Sequence, residues 1–267
     1  MPIEVAIHGA GGRMGQRLIA LGTAAQNIKI VAAIESAMSP KVRTDAGVLA
    51  GVGEIGVPLG PEWPDRADAV IDFSLPAATD ALLSNCVQRR IPLVFATTGL
   101  SDAQEEAIKN ASQHIPIVKA ASMSMAVNLT MKLTEIAGRA LSDHPSGADV
   151  EIIERHHRFK EDAPSGTALA FGKIVTDAMG QTAAQHGRSG HSGARPHDEI
   201  GYHAIRTGDN PGEHTIIFGL LGETIELRVA ATNRDCYAHG AFAAAEWLQG
   251  KPAGLYNMQD VLGLNSL

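Results

Sequence analysis

The first two dozen residues constrain the fold more than any other stretch. "IEVAIH" is a short aliphatic run, "GAGG" follows it at once, and Arg13–Ala24 continues with helical spacing. A strand that passes through a glycine turn into a helix opens a βαβ unit. The alternation continues through the N-terminal half. Ile28–Ile34 reads as a second strand, and "ADAVIDFS", "IPLVFATTG" and "IPIVKAAS" as three more. Pro76 suits a first helical turn, Ser101 with Gln104 forms a capping-box pattern, and "NLTMKLTEIAGRAL" reads as a long helix. The fold class is therefore α/β, with a Rossmann-type parallel sheet.

From about residue 149 the texture changes. "DVEIIERHH" is strand-like, "SGTALAFGKIVTDAM" is helical, and "HTIIFGLLGETIELRVAAT" reads as a hairpin turning at "GLLG". Residues 181–200 are rich in Gly, His and Ser and read as a mobile loop, while "AHGAFAAAEWLQG" closes the pattern with a helix. A smaller mixed α/β domain thus follows the parallel one.

A net charge of −7 argues against a nucleic-acid surface and for a small-molecule partner. The two cysteines, Cys86 and Cys236, have no metal-finger or CxxC spacing, which reads as a reduced compartment. The N-terminus lacks a secretory pattern, and no run of about 18 uncharged apolar residues suggests a membrane span. The expectation is a cytoplasmic protein without membrane or nucleic-acid partners.

The turn carries Gly9, Gly11, Gly12 and Gly15, and fits G-x-x-G-x-x-G through the first, third and fourth of these. Backbone N–H groups there can approach a pyrophosphate at the positive end of a helix. Glu35 ends the second strand, where an acid commonly holds the adenosine ribose hydroxyls. An acid there opposes a 2′-phosphate and favours NAD, while Arg13, Lys41 and Arg43 are cations that could offset it. Thr97-Thr98-Gly99 and "KAASMS", residues 119–124, end later strands, where open sheets place their ligands.

The stretch "ERHHRFKEDAPSGTAL" puts His156, His157, Arg158 and Lys160 just before a helix start. Adjacent histidines diverge on a strand or a helix, so they are poor co-ligands and no metal is expected. The amides of Gly166 and Thr167 are placed to bind an anion, with histidine and lysine beside them for proton transfer. Together with a nicotinamide domain, this points to hydride addition to a C=N or C=C bond of an acidic substrate. Two rivals share part of the pattern: another Rossmann oxidoreductase acting on a sugar or hydroxy acid, and an NAD(H)-binding sensor without turnover.

Over nearly its whole length the chain resembles the 4-hydroxy-tetrahydrodipicolinate (dihydrodipicolinate) reductase family. "GAGGRMG", "DFSLP", "ATTG", "GEHTIIF", "GLYNMQDVLGL" and above all "HHRFKEDAPSGTA" carry the resemblance. It implies NADH- or NADPH-dependent reduction of a small dicarboxylate in lysine and diaminopimelate biosynthesis, by a homotetramer joined through the second domain's sheet. It implies a dinucleotide-binding domain over 1–125 completed by 236–267, and a substrate and oligomerisation domain over 126–235. By motif position, His156 and Lys160 are the catalytic pair, and His157, Lys160, Gly166 and Thr167 hold the substrate. Gly9, Ala10, Gly11, Gly12, Arg13, Met14, Glu35, Thr97, Thr98, Gly99, Ala120, Ala121, Ser122 and Met123 meet the cofactor. The chain departs from the family at Ser36, where NADPH-using members often carry Arg, and at Ala96, where Gly is frequent. It also has Val229 and Ala230 in place of the His and Arg of many members.

Overall fold

The computed structural model describes residues 1–145 and 147–266. In chain order the elements are β1 (Ile3–His8), α1 (Arg13–Ala24), β2 (Ile28–Ile34), α2 (Ala46–Ala50), β3 (Leu59–Gly60), β4 (Ala69–Asp72), α3 (Thr79–Arg89), β5 (Leu93–Phe95), α4 (Asp102–Ser112) and β6 (Pro116–Lys119). There follow α5 (Met125–Leu141), β7 (Asp149–His156), α6 (Gly166–Met179), β8 (Ala183–His186), β9 (Glu199–Arg206), β10 (Glu213–Leu220), β11 (Glu223–Ala230), α7 (Asp235–Trp247), β12 (Gly254–Tyr256) and α8 (Met258–Val261). They form two compact units, Met1–Met125 with Arg234–Leu267, and Ala126–Asn233; Leu267 itself lies outside the described residues.

The first unit is built on a seven-stranded parallel sheet in the order β12-β6-β5-β4-β1-β2-β3. Alternate residues divide between its two faces. Val5 and Ile7 of β1 join one core with Leu18, Ala241 and Phe242, while Ala6 joins the other with Leu82, Cys86 and Ile108. Strands buried on both sides explain the uninterrupted aliphatic runs in the sequence. Strand order reverses between β1 and β4, which places His8 and Asp72 at the crevice where such sheets bind ligands. Ser101 and Gln104 form the expected reciprocal cap on α4. Strands β3 and β12, of two and three residues, had no periodicity to announce them.

The second unit holds a mixed sheet in the order β11-β10-β7-β9-β8. Strand β7 alternates strictly, with Val150, Ile152, Glu154 and His156 on its buried face. Val150 and Ile152 pack with Phe171 and Val175 of α6 and with Ile200, Ile216 and Phe218. The hairpin of β10 and β11 forms as expected, but its turn is confined to Leu221-Gly222. Val229, at one departure from the family pattern, is a core residue of this unit.

The expectation of a mobile loop over 181–200 needs correction. Residues 183–186 form β8, paired parallel with β9. Beyond it, Arg188 and Arg195 both bond the carboxylate of Glu151, and His203 Nε2 lies 2.7 Å from the same group. Burial alone would raise the Glu151 carboxyl, but these partners outweigh it and hold it down at about 2. Ion pairing to the sheet substitutes for the apolar anchors this segment lacks.

Candidate active site

The glycine turn lies between β1 and α1. Gly12 caps α1 with extended backbone and no side-chain hydrogen bond, and its N–H closes the turn on the Gly9 carbonyl at 3.0 Å. A Cβ on Gly15 would come within 2.3 Å of that carbonyl, so only glycine permits the helix to start this close to the turn. The Glu35 carboxylate accepts from Gly11 N–H at 2.8 Å and from Ser36 N–H at 3.0 Å. On the other side of Gly11, Lys41 Nζ donates to its carbonyl at 2.7 Å. Arg13 is the first residue of α1, Ala10 is fully buried, and Met14 packs on the core.

Next to the turn lies a cavity of about 470 Å³, lined among others by Gly9, Gly12, Glu35, Trp63 and Ser74. The buried Ser74 hydroxyl has no partner among the described residues. A planar aromatic, an acid, an unpartnered hydroxyl and glycine amides suit a dinucleotide, so the residues present fit that group. Thr97 follows β5 with its hydroxyl donating to the buried Asp72 at 2.7 Å, and Thr98 and Gly99 continue the same loop. Ala120, Ala121 and Ser122 follow β6, whereas the Met123 side chain is buried in the core.

In the second unit the buried face of β7 turns polar at its last two inward positions. Glu154, 1% exposed, is filled on all sides. Arg206 donates to Oε1 at 2.7 Å and to Oε2 at 2.8 Å, Ser165 N–H donates to Oε1 at 3.1 Å, and His156 Nδ1 lies 2.5 Å from Oε2. Burial alone would raise the Glu154 carboxyl, but the bonds from Arg206 and His156 prevail and hold it low. Burial pulls the His156 imidazole below its ordinary value; Glu154 opposes this, and the charges of Lys160 and Arg206 add to it. The ring is therefore neutral near pH 7, donating from Nδ1 and offering Nε2 as acceptor. A Cβ on Gly212 would stand 3.0 Å from that Nε2, so glycine keeps the approach open.

The remaining expected residues gather around the start of α6. Lys160 Nζ pairs with both carboxylate oxygens of Asp162, at 2.7 and 2.9 Å. Ser165 caps α6 by accepting from Ala168 N–H, which leaves the amides of Gly166 and Thr167 without a hydrogen-bond acceptor among the described residues. Nothing lies within 4 Å of where a Gly166 side chain would begin, so this helix end is open to an anion. His157 directly follows β7, and its buried Nδ1 has no partner among the described residues.

His214, 4% exposed, lies edge-on to His156 with ring centroids 5.3 Å apart. The Ser165 hydroxyl, which accepts from Ala168 N–H, lies 3.1 Å from its Nε2. Burial first, then the neighbouring His156 charge, lower the His214 imidazole to about 4. The unfolded chain takes up this proton below about pH 6.5 and the folded chain resists it, so stability rises with pH across the window from 4 to 6.5. Acidifying through that window is expected to remove roughly 3 kcal/mol through this one group. Urea unfolding of wild type and His214→Gln between pH 6.5 and 4.5 checks this. The variant should lose most of the slope and keep a remnant from His156; an unchanged slope would refute the assignment.

With the geometry in place, comparison with known proteins is decisive. Models described as dihydrodipicolinate reductase, N-terminus and C-terminus, match residues 3–123 and 126–262. The chain belongs to the dihydrodipicolinate reductase family. It is 56% identical to a 4-hydroxy-tetrahydrodipicolinate reductase of Rhodopirellula baltica, covering 99% of this chain and 97% of that one. A protein of the same name from Pseudoalteromonas atlantica is 46% identical, with 98% and 99% covered. In fold the chain is similar to dipicolinate-bound dihydrodipicolinate reductase from Paenisporosarcina sp. TG-14, with TM-score 0.78, 23% identity, and 97% and 99% covered.

Several residues of this reductase that surround the expected ones escaped the sequence reading. Glu154 was visible in principle, since E-x-H on a strand puts both side chains on one face. His214 likewise sits on the inward alternation of β10. Arg206 reaches Glu154 only because β9 pairs in register with β7, opposite His156, and no local pattern reveals that. Asp72, the fully buried partner of His8 and Thr97, looked like an ordinary strand end.

Proposed function

We propose that this chain reduces 4-hydroxy-tetrahydrodipicolinate to tetrahydrodipicolinate, a step of lysine and diaminopimelate biosynthesis. One hydride and one proton enter and one water leaves. The observation that carries this reading is the Glu154–His156 pair beside Lys160 and the open amides of α6, in a chain that matches the family from end to end. Bound NADH or NADPH supplies the hydride.

In the first unit, the glycine turn, Met14, Glu35 and the loops at Thr97–Gly99 and 120–123 hold the dinucleotide. In the second, Gly166 and Thr167 amides with His157 and Lys160 hold the dicarboxylate, whose charge replaces Asp162 as the partner of the Lys160 ammonium. His156 is neutral near pH 7, so Lys160 is the proton donor of the pair and His156 the acceptor. Fixing these groups before the reaction supplies much of the rate enhancement. The second unit also joins the subunits of a homotetramer, a reading supported by the exposure of Leu221 in the β10–β11 turn and of Ile225 on β11. A cytoplasmic location fits a chain with no helix, among the described residues, long and apolar enough to cross a membrane.

The test supplies purified protein with substrate made in place from pyruvate and aspartate semialdehyde, and follows NADH and NADPH absorbance in parallel. Substrate-dependent loss with either cofactor is the expected result. The ratio of the two rates reads how Glu35 on one side of Gly11 balances Lys41 on the other. Cofactor binding without any loss would shift the reading to a sensor that does not turn over.

A further inference from the structure

We propose that His8 is a contact for the adenosine half of the dinucleotide, presenting Nε2 as a hydrogen-bond acceptor in an orientation that Asp72 fixes. The inference rests on the dinucleotide reading above and adds a residue to it. His8 is the last residue of β1, directly before the glycine turn, and its side chain is 12% exposed. Its Nδ1 lies 2.7 Å from Oδ1 of Asp72, a residue with no exposed surface.

Asp72 is itself held in place. Ser74 N–H donates to Oδ1 at 3.2 Å and the Thr97 hydroxyl to Oδ2 at 2.7 Å, so the carboxylate cannot swing away from the ring. With Nδ1 donating to Asp72, the tautomer this contact selects carries its lone pair on Nε2. No described residue bonds to that nitrogen. The ring lines the cavity shared with Glu35, Ser74 and Trp63. Trp63 lies beside it, ring centroids 5.8 Å apart.

A nucleoside is the chemistry these groups match. Its flat base suits an indole wall, and its ribose hydroxyls or base amine are donors, which need acceptors such as Glu35 and Nε2. The cavity volume of about 470 Å³ is within the range of small-ligand sites. The contact with Asp72 occupies one ring nitrogen only, and His8 is also a lining residue of this cavity.

Two substitutions separate the roles. His8→Asn retains an amide near the Nδ1 position, able to donate to Asp72, and removes the Nε2 acceptor. His8→Gln reaches the Nε2 position with an acceptor oxygen and loses the Asp72 bond geometry. Calorimetric titration with ADP-ribose and with nicotinamide mononucleotide reads the two halves of the cofactor separately, and thermal unfolding reports the fold. His8→Asn is expected to bind ADP-ribose about five- to tenfold more weakly, the loss of one net hydrogen bond, with nicotinamide mononucleotide unaffected. His8→Gln is expected to bind ADP-ribose more tightly than His8→Asn even if it unfolds at a lower temperature. The reverse ranking, or equal weakening of both halves, overturns the inference. A wild-type chain that binds no ADP-ribose overturns the dinucleotide reading itself, whereas normal wild-type binding with unaffected variants overturns only the role of His8.

Discussion

Lys160→Ala is expected to lower kcat about 10³-fold, the middle of the range for losing a positioned proton donor, while NADH binding stays within about twofold of wild type. The expectation follows from where the side chain stands. Lys160 lies in the segment between β7 and α6, and among the described residues its ammonium bonds only the two oxygens of Asp162. Asp162 is largely solvent-exposed, so this pair is a weak surface interaction that an incoming carboxylate can displace. The lysine therefore contributes little to folding. Lys160→Arg separates its two roles. A guanidinium keeps the positive charge and should preserve KM, but it holds its proton too firmly to deliver it, so kcat should stay low. Stopped-flow transfer from NADH under single-turnover conditions distinguishes slow chemistry from slow release. Turnover near wild type in Lys160→Ala would remove the lysine from the reaction.

The ease of reading this chain varied with the range of the interactions involved. Ile3–His8, Arg13–Ala24 and Ile28–Ile34 were legible to the residue, because a strand, a glycine turn and a helix are specified by neighbours in sequence. The Ser101–Gln104 cap was legible for the same reason. Strands β8 and β12 were not, since each is an edge strand made by pairing with a distant partner rather than by its own composition. The candidate site divides in the same way. His156, Lys160, Gly166 and Thr167 share one short segment, whereas Arg206 and His214 come from β9 and β10 and meet Glu154 and Ser165 only through strand register. The His8–Asp72 pair depends on β1 and β4 being neighbours across the switch point, which no local pattern reveals.

Glu154→Gln is expected to lower kcat by about 10²-fold and to reduce stability by about 2–3 kcal/mol. The amide preserves shape but replaces one acceptor oxygen with a donor. It then faces Arg206, Ser165 N–H or His156, each of which also donates. At least one of these bonds becomes a clash of donors in a site that is 1% exposed. The tautomer of His156 is released as well, because no other described residue fixes a proton on Nδ1, and a ring with its proton on Nε2 cannot accept there. The pH profile separates this positioning role from general damage. Glu154 raises the proton affinity of His156 through its hydrogen bond and its charge, against burial and the charges of Lys160 and Arg206. Without the carboxylate that affinity falls further, so the acidic limb of the kcat profile should move to lower pH in Glu154→Gln. A structural defect alone would lower the whole profile and leave the limb where it was. That outcome would assign Glu154 to folding and leave the orientation of His156 to the backbone of β7.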